Sequence, residues 1–312
     1  MIGEVYTRRA ALKAALGLLG GALAAAATPC LLAAQRNYAM STRPIPRTGE
    51  ALPVVGVGTW QTFDVGPNAP ERAELKEVLR LLAGHGGSVI DSSPMYGAAE
   101  RVVGDLTAEL SLRDRLFFAT KVWTSGRDAG IRQMEQSFRL MRAQRMDLMQ
   151  VHNLLDVETH TATLLDWKSA GRVRYVGITH YHSGAYAQVE KLVNTKRYDF
   201  VQINFSMAEC EAENRLLPLC AETGTAVIIN RPFSGASLFN DVKGRKLPPW
   251  ATEFDCTSWG QFFLKWILGH PAVTCVIPGT RRVVHLEDNV QAGKGRLPDA
   301  ATRKRMTDYL QQ

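Results

Sequence analysis

The chain has 312 residues and only five cysteines, at positions 30, 210, 220, 256 and 275, with no Cys-x-x-Cys pair and no Cys/His cluster. That scarcity argues against a metal site and against a dense disulfide framework. From residue 35 onward no stretch stays apolar for the ~20 residues that a membrane span needs. Dense Lys/Arg runs are missing as well, so the net charge of +7 points weakly to anionic ligands and not to a nucleic-acid surface. No Gly-x-Gly-x-x-Gly follows the first β-rich run, which disfavours an open dinucleotide-binding sheet. What is present is ordinary: 46% hydrophobic and 21% charged residues, with 26 Gly and 14 Pro. Such a composition excludes disordered, collagen-like and coiled-coil chains. The length suits one α/β barrel of ~250 residues with a tail.

The first 34 residues stand apart. Thr7-Arg8-Arg9-Ala10-Ala11-Leu12-Lys13 is followed by Ala14 to Ala34 without a single charge. A basic start, an apolar stretch rich in Ala, Leu and Gly, and then small residues is the order of an export signal. The paired arginines resemble the twin-arginine signal of bacterial export, with Ala11 where such signals often carry Phe. Ala27 and Ala34 each offer a small residue for cleavage, and Pro29 before Cys30 argues against a lipoprotein site. The expected organisation is an export signal over residues 1–34 and one domain over 35–312, periplasmic after export and cytoplasmic if the signal is not used. Glu4, Arg8, Arg9 and Lys13 give the leader +2, leaving +5 for the remainder.

After the leader, β-rich runs alternate with stretches of helical periodicity. The runs are Val54 to Trp60, Val89 to Asp91, Leu116 to Trp123, Met146 to Val151, Val173 to Ile178, Phe200 to Phe205, Ala226 to Ile229 and Val273 to Ile277. The stretches between and after them are Glu74 to Ala83, Glu100 to Leu110, Ile131 to Met141, Thr161 to Ala170, Ala185 to Val193, Glu213 to Ala221, Trp259 to Leu268 and Val284 to Val290. In the first of these, Leu75, Val78, Leu79 and Leu82 fall on one helical face. Continuous apolar strands are expected where both faces of a parallel sheet are covered. Eight strand–helix units predict a single (β/α)8 barrel of the TIM type, with its active site at the carboxyl ends of the strands. The longest irregular connection, Ser234 to Thr257, is a candidate lid.

Four polar residues stand at those strand ends. Asp91 ends the second strand and Tyr96 follows five residues later, while Lys121 lies near the end of the third and His152 ends the fourth. Asp and Lys inside a barrel are costly unless they neutralise each other, so a pair is expected. A lysine ammonium beside a phenol favours the phenolate and is expected to lower the tyrosine below its usual ~10. A tyrosine tuned in this way exchanges a proton with a substrate, and His152 is placed to orient a carbonyl oxygen. Taken singly, each has a bland alternative as an ion pair, a satisfied polar group or packing; taken together they point to catalysis.

Gly58-Thr59-Trp60, Asp91-Ser-Ser-Pro-Met-Tyr96-Gly97, Thr120-Lys121-Val-Trp123 and Asp147-Leu-Met-Gln-Val-His152 resemble the signature segments of aldo-keto reductases, and the resemblance runs from about Val54 to the C-terminus. It implies NAD(P)H-dependent reduction of a small carbonyl substrate, with Tyr96 as general acid, Lys121 and Asp91 tuning it, His152 placing the carbonyl, and no metal. It also implies that Gly58, Thr59 and Trp60 border the cofactor, and that Thr179, His180 and Gln202 hold the nicotinamide carboxamide. His180 departs from the family's more frequent Ser-Asn pair. Asn230 falls where the family often has an aromatic ring stacked on the nicotinamide, and Phe233 or Phe205 is the candidate to take that ring's place. Thr280, Arg281 and Arg282 lead into the last helix, where backbone N–H groups and cations suit the 2'-phosphate of NADPH. NADPH is therefore the expected cofactor, with NADH as the second option, and Asn289 matches the family's adenine contact. Trp60 and Trp123 match positions that line the family's substrate pocket, and aromatic walls suit an apolar or aromatic carbonyl compound.

Export and this chemistry constrain each other, since an exported nicotinamide enzyme needs a source of reduced cofactor. A periplasmic redox partner is one answer. The alternative function is a catalytically weak cofactor-binding barrel acting as a redox sensor or partner subunit; the complete quartet favours the enzyme, and the departures at His180 and Asn230 favour the binder. A hydrolytic barrel is disfavoured, because the strand ends bring no paired carboxylates and no metal-ligand cluster.

Overall fold

Strand residues alternate between two faces, and in this chain both faces of the central strands are apolar over most of their length. β5 (Phe117–Val122) and β6 (Met146–His152) are buried throughout, as parallel strands are when helices cover one side and a filled interior lies on the other. The computed structural model describes residues 38–312, so the export signal expected over 1–34 lies outside the described residues.

A short antiparallel hairpin, β1 (Thr42–Pro44) and β2 (Ala51–Pro53), comes first. Then follow β3 (Val57–Gly58), β4 (Val89–Asp91), β5, β6, β7 (Val173–Thr179), β8 (Phe200–Asn204), β9 (Ala226–Asn230) and β10 (Cys275–Val276), paired in sequence order and parallel throughout. Parallel bridges Val55–Val276 and Gly58–Gly279 join the first of these strands to the last and close the barrel. Gly58 is required there: a Cβ on it would lie 2.9 Å from the Ile277 carbonyl oxygen.

The outer ring comprises α1 (Glu71–Gly84), α2 (Ala99–Glu109), α3 (Arg127–Leu140), α4 (Val157–Ser169), α5 (Tyr186–Asn194), α6 (Leu216–Thr223), α8 (Trp259–Leu268) and α9 (Val283–Gln291). The short α7 (Ser237–Asp241) lies within the β9–α8 connection, and the C-terminal α10 (Ala300–Leu310) follows the barrel. The eight expected strand–helix units are all present. The hairpin and α10 are additions, and the hairpin has a clear role: Ile45 and Leu52 join Phe117, Tyr175 and Phe200 in the core that fills the barrel interior. A larger apolar core lies between strands and helices.

The connection 234–257 is not a lid along its length. Its second half winds into a short helical turn, Pro249–Phe254, whose Trp250 packs on Phe262 of α8 and Tyr309 of α10. Arg245 donates to the carbonyls of Tyr309 and Leu310. Aromatic packing and these bonds fasten that half to α8 and α10.

Candidate active site

Alternation along each strand sorts the barrel interior. On β5, Phe117 and Ala119 belong to the apolar filling and Lys121 continues the same face; on β6, Leu148 is followed by Gln150 and His152. Polar groups thereby collect at the carboxyl ends, where the strands give way to loops.

Asp91 is the hub. Its Oδ2 accepts from Lys121 Nζ at 2.6 Å, and its Oδ1 accepts from Gln202 Nε2 at 2.7 Å and Gln150 Nε2 at 3.2 Å. Lys121 is fully buried and also donates to Ser92 O at 2.6 Å. Burial alone would lower this lysine, but the Asp91 carboxylate and the Tyr96 hydroxyl outweigh it and raise its pKa. The ammonium lies 5.0 Å from the centroid of the Tyr96 ring.

The expected lowering of Tyr96 is corrected by this environment. Burial of the phenol raises its pKa, and the nearby Lys121 ammonium only partly opposes that. Tyr96 is therefore held as a neutral phenol, the form able to give up a proton. Asp91 itself contributes to the rise, because its carboxylate sits close enough to disfavour a second negative charge.

His152 meets Tyr96 edge to face, with ring centroids 6.0 Å apart. Burial, helped by Lys121 and His180, pushes its pKa down to about 3, so the imidazole is neutral at physiological pH. Its Nδ1 lies 3.1 Å from Ser93 Oγ. With that hydroxyl donating, the ring carries its proton on Nε2, the nitrogen left to donate to a ligand.

The other expected residues divide into groups. Thr59 is buried and donates to Asp91 O (3.0 Å) and Ser92 Oγ (2.9 Å), and Gly58 closes the barrel, so these two build the frame of the site. Trp60 and Trp123 stand at the mouth, 52% and 40% exposed, and Trp123 lies 6.4 Å from the His152 ring. Thr179 Oγ1 donates to Gln202 Oε1 at 3.2 Å, and Asn230 Nδ2 donates to the same oxygen at 3.3 Å and to His180 O at 3.1 Å. Gln202, expected to hold a carboxamide, is thus committed to the Asp91 carboxylate. His180 stacks on Tyr181 instead of pairing with a neighbouring amide side chain. Phe205 is no substitute for a stacking ring, since it is fully buried against Trp266 and His270. Phe233 packs on Phe239 and Phe263 at the side of the β9–α8 connection.

At the last strand, Thr280 Oγ1 accepts the Arg282 N–H at 3.0 Å and turns the chain into α9. Arg281 and Arg282 are exposed, and no carboxylate among the described residues pairs with either. Unpaired guanidinium groups at a helix start fit an anionic phosphate. Asn289 is buried on α9.

Gln150, Ser92 and Ser93 were missed from sequence. Gln150 had a readable signal, being a polar residue two places before His152 within an otherwise apolar strand. The serines had none, because only the fold brings them under Lys121 and His152.

A closed parallel barrel whose carboxyl rim joins a buried Asp–Lys pair, a neutral phenol and a neutral imidazole defines an enzyme built to deliver a proton to a polar substrate. The chain belongs to the aldo/keto reductase family, whose model matches residues 54–304. It is 26% identical over 258 residues to methylglyoxal reductase YeaE of Escherichia coli, covering 80% of this chain and 89% of that protein. Over 296 residues it is 23% identical to an NADP-dependent D-sorbitol-6-phosphate dehydrogenase of Malus domestica, covering 81% and 89%. Among solved structures, an aldo-keto reductase from Klebsiella pneumoniae in complex with NADPH superimposes with a TM-score of 0.72 at 23% identity, covering 87% of this chain and 95% of that one. That likeness confirms the (β/α)8 fold.

Proposed function

We propose that this protein reduces an aldehyde or ketone with NADPH, using Tyr96 as the proton donor. One observation carries the reading: the buried Lys121 ammonium, paired with Asp91 at 2.6 Å, lies under the Tyr96 ring. Membership of the aldo/keto reductase family supports it. The reduced nicotinamide, when bound, supplies the hydride. Tyr96 donates its proton to the carbonyl oxygen, and the Lys121 ammonium stabilises the phenolate left behind. Asp91 keeps that ammonium charged, while Gln202 and Gln150 hold the carboxylate in place. His152 Nε2–H orients the same carbonyl oxygen. Trp60 and Trp123 offer apolar walls to the remainder of the substrate, which suits an apolar or aromatic carbonyl compound. Arg281 and Arg282, just before α9, favour NADPH over NADH through the 2'-phosphate, and Asn289 lies on α9 for the adenine end. The sensor or partner-subunit alternative is not favoured, because Asp91, Lys121, Tyr96 and His152 come together at one end of the barrel.

Residues 1–34 act, in this proposal, as a twin-arginine-type signal that places residues 35–312 in the periplasm. The supports are Arg8, Arg9, Lys13 and the uncharged stretch to Ala34. A periplasmic redox partner would then restore the reduced cofactor.

The test uses purified protein lacking residues 1–34. NADPH and NADH are titrated by fluorescence, and a panel of aldehydes and ketones is followed by loss of reduced-nicotinamide absorbance. Turnover should fall by at least ~100-fold in Tyr96→Phe with cofactor binding retained, the size expected of a general acid. Retained turnover would remove Tyr96 from that role.

A further inference from the structure

Beyond Val122 the chain leaves the sheet and runs through 123–126 before α3 begins at Arg127. Backbone groups in such a loop are usually satisfied within the turn or by water. Here side chains from further along the chain hold four of them. Gln133 of α3 accepts the Trp123 N–H at Oε1 (2.6 Å) and donates Nε2–H to Trp123 O (3.1 Å). His160 of α4 places Nε2 2.6 Å from Thr124 O, and Asp156 accepts the Gly126 N–H at 2.7 Å. The His160 ring is fully buried and occupies the space left by Gly130, where a Cβ would come within 2.4 Å of it.

Gln133 differs from the other two because both ends of one amide grip one residue. In effect its side chain adds a strand-like partner just past the end of β5. The residue it grips carries the indole that lies 6.4 Å from the His152 ring.

We propose that Gln133 is a specificity-determining positioning residue, fixing the Trp123 backbone so that the indole forms a rigid wall for bulky apolar carbonyl substrates. This rests on the reading of Trp123 as a substrate wall. Gln133 acts through Trp123: an indole already ordered before binding loses less freedom when a substrate packs on it, and that benefit grows with the apolar area the substrate brings. A small carbonyl compound, which covers little of the indole, gains little from it.

The experiment compares kcat/KM for 4-nitrobenzaldehyde and for methylglyoxal as bulky and small probes. In Gln133→Leu, which removes both hydrogen bonds at nearly constant size, the ratio of bulky to small should fall by about five- to 25-fold, a factor of about five for each bond lost. The change should appear in KM more than in kcat. Gln133→Glu keeps an acceptor for the Trp123 N–H and loses the donor, so it should recover part of the ratio, and it serves as the test if Gln133→Leu does not fold. In a Trp123→Ala background, Gln133→Leu should leave the ratio within about twofold, since the residue it acts through is gone. A ratio unmoved in Gln133→Leu while Tm falls would assign Gln133 to stability alone and overturn the inference. So would a shift of the ratio that persists in the Trp123→Ala background. A parent protein that reduces neither probe overturns the reading of the site and this inference with it, whereas one that reduces both with an unmoved ratio overturns the inference alone.

Discussion

Replacing Asp91 with asparagine tests the electrostatic account at its hub. The carboxylate faces donors on both sides: Lys121 Nζ on Oδ2, and the amides of Gln202 and Gln150 on Oδ1. An asparagine must present its own NH2 to one side or the other, so it sets donor against donor whichever way it turns. Gln202 cannot turn its amide to relieve this without facing the Asn230 amide N–H, which already donates to Gln202 Oε1. Lys121 meanwhile loses the carboxylate that pairs with it at 2.6 Å. Removing one partner of a buried ion pair costs about 3–5 kcal/mol. Urea unfolding of the parent and Asp91→Asn at a series of pH values is the assay. In the parent, Lys121 is held above its ordinary value, so its ammonium contributes stability below the ordinary lysine range and loses it only as pH rises through the raised value. In the variant, burial of the Lys121 ammonium is no longer offset by the Asp91 carboxylate and pulls the lysine down, so its ammonium costs stability at neutral pH and that cost fades as pH climbs towards ~10. The difference between the two proteins should be largest near pH 7 and shrink on the alkaline side. A loss below ~1 kcal/mol at pH 7, or one of the same size at pH 7 and pH 10, would refute the assignment of Asp91 as the charge partner of Lys121.

Three further outcomes are expected. Arg281→Ala combined with Arg282→Ala should weaken NADPH by about ten-fold or more, the scale of one charge-assisted bond to phosphate, while NADH changes little in the same fluorescence titration; equal effects would free both arginines from the 2'-phosphate. Because His152 is neutral down to about pH 3, kcat/KM should show no acidic limb near 6.5. The same depression means that an unfolded chain takes up that proton first, so the His152 contribution lowers stability as pH falls from ~6.5 towards the folded value; a limb at 6.5 that disappears in His152→Gln would contradict the buried, neutral imidazole. Changing Arg8 and Arg9 to lysine should retain the full-length chain in the cytoplasm, measured by cell fractionation, and undisturbed export would sink the twin-arginine proposal.

Local sequence determined a great deal here. Strands such as Phe117–Val122 and Met146–His152 are legible because a parallel strand covered on both faces must be apolar along its length, and the helices are legible through their 3.6-residue spacing. The same logic exposes Asp91, Lys121 and His152, since a charged or polar residue at the end of such a run conflicts with its surroundings unless it has work to do. The hairpin 42–53 was not legible, because its strands are three residues each and their purpose, carrying Ile45 and Leu52 into the floor of the barrel, exists only once the barrel is closed. The commitment of Gln202 and Gln150 to Asp91 was hidden for a similar reason: these partners lie 111 and 59 residues away, and only strand register brings them together. The direction of the Tyr96 shift also belongs to the tertiary structure. Sequence places a lysine near a phenol and so argues for a lower pKa, but the sign depends on how completely the surrounding chain removes water from the phenol, and packing decides that in favour of the neutral form.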